Sequence, residues 1–232
     1  MSTQKLALVT GGAQGIGYAC AEALKEDGYG VILSDINADG VAEAAERLGA
    51  VAGLDCDMAD AAAVTALFDR IEADHGPVSA LVNNAGIALP GDFLDYDLDA
   101  FDKVIAVNLS GVFYGMKYAI AEMEKAGGGA IVNIASILGS VGFAGAGPYV
   151  ATKHGVVGMT KVAAIENAEK GIRVNAVGPA FVRTAILEAL DDATLEAVAG
   201  MHPVKRLGTV DEIAPLVAFL LSDEASFITG SY

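Results

Sequence analysis

Short apolar runs alternate with helix-period stretches along the whole of this 232-residue chain, and the first run opens directly into a glycine-rich turn. Residues 5–10 (KLALVT) read as a buried strand, TGGAQGIG follows, and helical periodicity then covers 16–27, with Gly28 as its stop. Further strands are predicted at 30–34, 51–54, 80–82, 130–135 and 173–177, separated by helices at 37–48, 60–75, 98–124 and 149–168. Such alternation dictates a parallel sheet with right-handed crossovers and helices on both faces, an α/β doubly wound domain. At this length the chain is read as one domain with a single extensive core.

The pattern breaks only between 183 and 207, where a short apolar helix (195–201) runs into His202-Pro203, as expected of a mobile lid. Thr209 with Glu212 three residues on forms a capping box for a last helix reaching about Leu221, and Pro215, placed beyond its first turn, is expected to bend it.

Composition narrows the partners. Fourteen Lys+Arg against thirty Asp+Glu give a net charge of −16, which repels nucleic acid and anionic membrane. No segment reads as long enough to span a bilayer. Cys20 and Cys56 are the only cysteines, without CxxC spacing, which points to a reducing, cytoplasmic setting and no metal site. His75, His154 and His202 show no ligand spacing and read as structural or surface residues.

In ligand-binding turns of this kind the glycines let the backbone approach a pyrophosphate, and the helix N-terminus favours its charge. Here they are Gly11, Gly15 and Gly17, a wider spacing than GxGxxG and compatible by itself with a ligand-free turn. The next strand ends in Asp35, 18 residues after Gly17, where a carboxylate can accept hydrogen bonds from the adenosine ribose hydroxyls. That carboxylate repels a 2′-phosphate, and neither Gln14 nor Ile36-Asn37 supplies a cation for one, so the cofactor is expected to be NAD(H) and not NADP(H).

Tyr149 and Lys153 are four apart, on one face of the predicted helix. A phenol with a pKa near 10 is a poor base at neutral pH, and an ammonium one turn away favours the phenolate. Ser136, at the end of the preceding strand, brings a hydroxyl to where a carbonyl oxygen would gain charge. Asn83-Asn84-Ala85-Gly86 ends the fourth strand, and spacing alone favours a bracing role for the two amides. Asn108 sits mid-helix among Val107, Leu109 and Val112, where an amide is usually a satisfied core group or an exposed one.

Taken in order, TGGAQGIG, Asp35, Asp57-Met58, NNAG, Asn108 in VIAVNLSGVF, Ser136, Tyr149-x-x-x-Lys153 and VGPAFVRT resemble the short-chain dehydrogenase/reductase family over nearly the whole length. The resemblance extends through ASILGSVGFAGAGPYVATKHG and ASFITGSY to its bacterial NADH-dependent secondary-alcohol dehydrogenases, or carbonyl reductases. It implies a Rossmann sheet of order 3-2-1-4-5-6 and a homotetramer. It also implies catalytic roles for Asn108, Ser136, Tyr149 and Lys153: Ser136 holds the substrate oxygen, Tyr149 passes the proton, Lys153 lowers the tyrosine pKa and grips the nicotinamide ribose, and Asn108 holds a relay water. The implied cofactor set is Gly11, Gln14, Gly15, Ile16, Gly17, Asp35, Asp57, Met58, Asn84, Ala85, Gly86, Tyr149, Lys153, Pro179, Val182 and Thr184, with no metal.

Two departures stand out. Pro179-Ala180 replaces a common Pro-Gly, and the chain stops at Tyr232, where the family continues with a strand and Asp-Gly-Gly, so a truncated seventh strand is expected. The expected substrate is a modest apolar ketone or secondary alcohol, with Ile137, Leu138, Phe143, Phe181, Ile186, Leu187 and Leu190 as pocket and lid candidates. A 3-oxoacyl-carrier-protein reductase is the alternative enzyme, disfavoured by the glycine-rich EKAGGGA and by the net charge, and a catalytically silent dinucleotide sensor is the alternative outside catalysis.

Overall fold

The computed structural model describes residues 4–188 and 191–232. Six parallel strands, β1 (Leu6–Thr10), β2 (Gly30–Asp35), β3 (Ala52–Asp55), β4 (Val78–Asn83), β5 (Gly129–Ile134) and β6 (Ile172–Val177), form one sheet in the order β3-β2-β1-β4-β5-β6. The expected strand order is therefore found. The strands read as continuous apolar runs because both faces are covered. Along β1, Ala7 and Val9 face a core shared with helices α1 (Gly15–Glu26) and α2 (Ala38–Leu48), whereas Leu8 faces the core under α3 (Ala61–His75). Val9 and Leu8 are both fully buried, so truncating either removes contacts on its own side of the sheet.

Local chemistry explains the helix boundaries. Asn37 and Asp60 cap α2 and α3 by accepting N–H bonds from Gly40 (3.0 Å) and Ala62 (2.8 Å). Gly28 ends α1 with a φ of 89°, a conformation that costs glycine little. The capping box is formed, with Thr209 N–H donating to Glu212 Oε2 at 2.9 Å. It starts a short 3₁₀ turn (Val210–Glu212), and the last helix proper (Ala214–Leu221) begins after it. Pro215 therefore stands in that helix's first turn, where its missing N–H costs nothing, and does not bend it as expected.

The expected single helix over 98–124 is two helices, α4 (Leu98–Ile105) and α5 (Gly111–Ala126), joined by a π turn at Ala106–Ser110 that contains Asn108. Gly111 N–H bonds to the Ala106 carbonyl, five residues back, so the ladder slips by one residue beside Asn108. Contrary to the sequence reading, the helical stretch Leu98–Ala126 is, at 29 residues, long and apolar enough to cross a bilayer. In this fold its apolar side is spent on the sheet: Val112, Met116, Ala119 and Met123 are buried in the core with Leu81 and Ile131.

After β6 come α6's successors in the chain: α6 itself (Gly147–Asn167) precedes that strand, and α7 (Ala185–Glu188), α8 (Asp192–Met201) and α9 (Ala214–Leu221) follow it. In place of the expected short seventh strand, residues 229–232 run beside β6 without forming a strand. Gly230 N–H donates to Val174 O (2.8 Å) and Ala176 N–H to Ser231 O (2.9 Å), while the Asn175 side chain bonds Ile228 O and Ser231 N–H.

Candidate active site

The C-terminal ends of β1, β4, β5 and β6 converge at one edge of the sheet, beside the point where the strand order reverses. The glycine turn lies there. Gly11 has a φ of +61°, and a Cβ on Gly17 would stand 2.3 Å from Gly11 O and 2.5 Å from Asn84 Nδ2, so the turn closes on itself only with glycine there. Gln14, the residue before α1, is extended and makes no side-chain cap, whereas α2, α3 and α4 are all capped by side chains. The first turn of α1 thus keeps N–H groups that no cap has claimed, as a bound phosphate requires.

Asn84 braces this turn, donating through Nδ2 to Thr10 O (3.1 Å) and Gly11 O (2.9 Å). The Thr10 hydroxyl, which the sequence reading passed over, accepts from Asn84 N–H and Ala85 N–H at 3.0 and 3.2 Å and so ties β1 to the turn after β4. Asp35 leans over the same turn: Oδ2 accepts Ala13 N–H (3.2 Å) and Oδ1 accepts Asn37 N–H (3.1 Å). Ile36 beside it is 70% exposed. Thr184 Cγ2 lies 3.8 Å from the place a Cβ on Gly15 would occupy, which brings the segment after β6 over the glycine turn. Of the adenine pair, Asp57 accepts Ala59 N–H at 2.9 Å, but the Met58 side chain is buried in the core and packed at Gly111.

The candidate catalytic groups gather on the other side of β4. Ser136 is buried at the end of β5, its Oγ accepting Leu138 N–H at 3.2 Å. Tyr149 and Lys153 share one face of α6, with Lys153 Nζ 5.4 Å from the centre of the phenol ring. Lys153 is 3% exposed and donates to Ile134 O at 2.7 Å, and burial pushes its ammonium down to about 8. The expected lowering of the phenol is not found. Burial raises Tyr149 above its ordinary value, and the nearby Ser136 hydroxyl draws it only part-way back. The reason is shared desolvation: the pocket that strips water from the phenol also disfavours charge on the lysine that was to offset it.

Asn108 is fully buried and makes a two-bond clasp with the backbone of Ile87, Oδ1 accepting its N–H and Nδ2 donating to its carbonyl, both at 2.8 Å. Gly86 is next to it, its Cβ position 3.3 Å from Asn108 Oδ1. The amide thus holds the loop after β4 against α4–α5, and no bond links it to Lys153. Pro179 O accepts Ile137 N–H at 2.8 Å, locking the loop after β6 to the Ser136 loop.

Aromatic groups flank this centre. Phe143 and Phe181 pack edge to face at 5.8 Å, and Phe181 packs likewise on His202 at 5.8 Å while its N–H donates to His202 Nε2 at 3.2 Å. The excursion over 183–207 returns to its origin, since Val182 bridges Gly208. Of the expected pocket residues, Ile137 and Phe143 are 39% and 41% exposed, whereas Leu138 is buried. Leu190 and the side chain of Ile186 fall outside the described residues. The sequence reading missed Phe93 and Leu94, on the loop after β4. They are 92% and 91% exposed, and Phe93 lies 3.3 Å from the Cβ position of Gly147, two residues before Tyr149. Their only sequence signal was two large apolar residues in a loop. Two shallow surface grooves along α1 and α9, lined in part by Tyr29, Phe219 and Arg47, lie away from Ser136, Tyr149 and Lys153. Among the described residues no group of three or more His, Cys, Asp or Glu side chains is placed to hold a metal ion.

Residues 11–232, from the glycine turn onward, match the family model described as enoyl-(acyl carrier protein) reductase, a short-chain dehydrogenase/reductase model. The chain belongs to the short-chain dehydrogenase/reductase family. Like other members of this family, it is an oxidoreductase of the nicotinamide-dinucleotide type. It is 40% identical over 232 residues to a cyclohexanol dehydrogenase of Acinetobacter sp. (strain SE19), covering 98% of this chain and 91% of the relative. It is 42% identical over 232 residues to a cis-4-hydroxycyclohexanecarboxylate dehydrogenase of Sinomonas cyclohexanicum, covering 98% and 93%. It is also 40% identical over 235 residues to the 3-oxoacyl-[acyl-carrier-protein] reductase FabG of Staphylococcus aureus, covering 99% and 96%.

Proposed function

We propose that this short-chain dehydrogenase/reductase interconverts an apolar secondary alcohol, of the cyclohexanol type, and its ketone with NAD(H). The observation that carries the chemistry is a half-buried phenol set beside the Ser136 hydroxyl, one helical turn from a buried lysine. In ketone reduction Ser136 and Tyr149 direct their O–H groups at the carbonyl oxygen, and the phenol, held protonated by burial, gives up its proton as that oxygen gains charge. Lys153, fixed on Ile134 O, sits where an ammonium stabilises the phenolate left behind and reaches a ribose. Asn108 and the π turn hold the Ile87 loop under the reacting centre. The nicotinamide, when bound, supplies or takes the hydride.

The glycine cradle, the uncapped α1 and the Asp35 carboxylate are the groups that fit a dinucleotide. For NAD over NADP the argument rests on Asp35. At ~4 Å and an effective dielectric near 20, two unit charges interact by roughly 4 kcal/mol, and solvent at this half-buried site reduces that. A third of it separates the cofactors about tenfold. Asp35→Ser combined with Ile36→Arg should move kcat/KM towards NADPH by at least that factor. Equal kcat/KM for the two cofactors in the unaltered protein would mean that Asp35 does not read the ribose.

Two relatives named for cyclohexanol-type alcohols support a compact cyclic substrate, and the exposed apolar residues Phe93, Leu94, Ile137 and Phe143 favour one without charge. The likeness to FabG supports a second reading, reduction of a 3-oxoacyl group on a carrier protein. Against it stands the net charge of −16, which repels an acidic carrier. NADH oxidation measured with cyclohexanone, 4-substituted cyclohexanones and an acetoacetyl thioester separates the two. Cyclohexanones are expected to be turned over at least tenfold more efficiently, and a preference for the thioester would replace this reading with the second. We further propose a cytoplasmic homotetramer that covers exposed apolar side chains such as Phe101, Phe113, Ile165 and Phe227.

A further inference from the structure

Tyr232 lies 96 residues from Ser136 in sequence, yet its hydroxyl donates to the Ser136 main-chain carbonyl at 2.5 Å. To get there the ring crosses the end of β6 over Gly178. A Cβ at Gly178 would stand 2.5 to 2.8 Å from Cε2, Cζ and Oη of that ring, so the glycine makes the passage possible. The tyrosine is anchored on its own side of the sheet, because Ser231 and Gly230 are hydrogen-bonded to β6 through Ala176, Asn175 and Val174. Two further bonds converge on the same short segment. Gly139 N–H also donates to Ser136 O, at 2.7 Å, and Ile137 N–H donates to Pro179 O, at 2.8 Å.

We infer that Tyr232 is a positioning residue for catalysis: it fills the second lone pair of the Ser136 carbonyl and so fixes the peptide that aims the Ser136 hydroxyl. The Ser136 side chain takes one main-chain bond, from Leu138 N–H, and otherwise faces the Tyr149 phenol. Its direction therefore depends on the orientation of its own backbone, which is extended here with φ −175° and ψ 158°. Gly139 alone leaves that peptide free to tilt about one hydrogen bond. With Tyr232 the carbonyl is gripped from the α6 side and from the β6 side at once. A hydroxyl that must meet a developing oxyanion loses much of its effect when misplaced by a fraction of an ångström. This inference rests on the assignment of Ser136 to the substrate oxygen.

The test is Tyr232→Phe, which keeps the ring over Gly178 and removes only the donor, made both in the unaltered protein and on Ser136→Ala. In the unaltered background kcat for cyclohexanone reduction should fall about five- to tenfold, the effect of one lost hydrogen bond. KM for the ketone and Kd for NADH, read by fluorescence titration, should stay within about twofold. On Ser136→Ala, followed by single-turnover NADH oxidation at high enzyme concentration, Tyr232→Phe should cost nothing further, because there is no hydroxyl left to aim. If Ser136→Ala cripples turnover but Tyr232→Phe leaves kcat unchanged, the inference is overturned and the assignment of Ser136 stands. The same fractional loss in both backgrounds also overturns it, since the tyrosine would then act on the fold at large. Full activity of Ser136→Ala would remove the catalytic assignment itself, and the inference with it.

Discussion

Tyr149→Phe should reduce kcat for ketone reduction by roughly 10²- to 10⁴-fold, the range that a positioned general acid supplies. NADH affinity should change by less than about twofold, because the substitution removes one oxygen and leaves the ring in place. Burial raises the phenol above its ordinary value, so at neutral pH the tyrosine holds its proton and is ready to act as the acid. The reverse direction needs the phenolate. Alcohol oxidation should therefore speed up as pH rises from neutral towards 10, while ketone reduction holds over that interval and falls only at higher pH. Stopped-flow NADH oxidation with cyclohexanone checks the first expectation, and paired pH–rate profiles check the second. A variant that kept a tenth of the activity would show that some other group delivers the proton.

Lys153→Ala should lower kcat about a hundredfold or more and weaken NADH binding as well, since a cation is lost next to both the phenol and the expected ribose position. The residue is 3% exposed and its ammonium is bonded to Ile134 O, so alanine also leaves a void and an unpaired carbonyl. Lys153→Met keeps most of the volume and separates these effects. A rate loss with NADH affinity unchanged in both variants would contradict the ribose contact.

The same lysine carries a stability signature. Its folded-state pKa, about 8, lies below the ordinary 10.5. The unfolded chain therefore binds more protons between these two values, and stability gained through this group rises with pH across that window. Below about pH 8 the cost of burying the charge is present in full, roughly 3 kcal/mol. The stability of Lys153→Met relative to the unaltered cofactor-free protein should accordingly decline from pH 8 to pH 10, as urea unfolding at the two values would show. A flat difference would mean that Lys153 is solvated in the folded protein.

The order of strands and helices was legible in the chain because a parallel sheet buried on both faces demands continuous apolar runs, and the crossovers demand amphipathic ones. LALVT and AIVNI announce β1 and β5 without help from the rest of the molecule. Helix ends were equally local: Asn37, Asp60 and the Thr209–Glu212 pair act within three residues of themselves. Asp35, Ser136, Tyr149 and Lys153 could be picked out because each stands at a strand end or at a helical spacing with one obvious chemical use. Pro215 was misplaced by a single turn, since only the observed 3₁₀ turn shows where the helix proper begins.

What the sequence by itself determined was therefore the part of the protein governed by short-range rules: the alternating elements, the glycine turn and the four residue types proposed for the chemistry. Tertiary structure decided everything that depends on which distant groups share a pocket. The π turn at Ala106–Ser110 has no local signature, and the clasp between Asn108 and Ile87 appears only once α4 packs beside the loop after β4. The state of the phenol was likewise beyond a reading of spacing. A lysine four residues away promised a lowered pKa, but burial acts on both groups together and leaves the tyrosine protonated. The grip of Tyr232 on Ser136 spans 96 residues and passes over a glycine on a third element. Such contacts are set by the packing of β5, β6 and the segment beside them, because a hydrogen bond depends on where two atoms end up and not on how far apart they are along the chain.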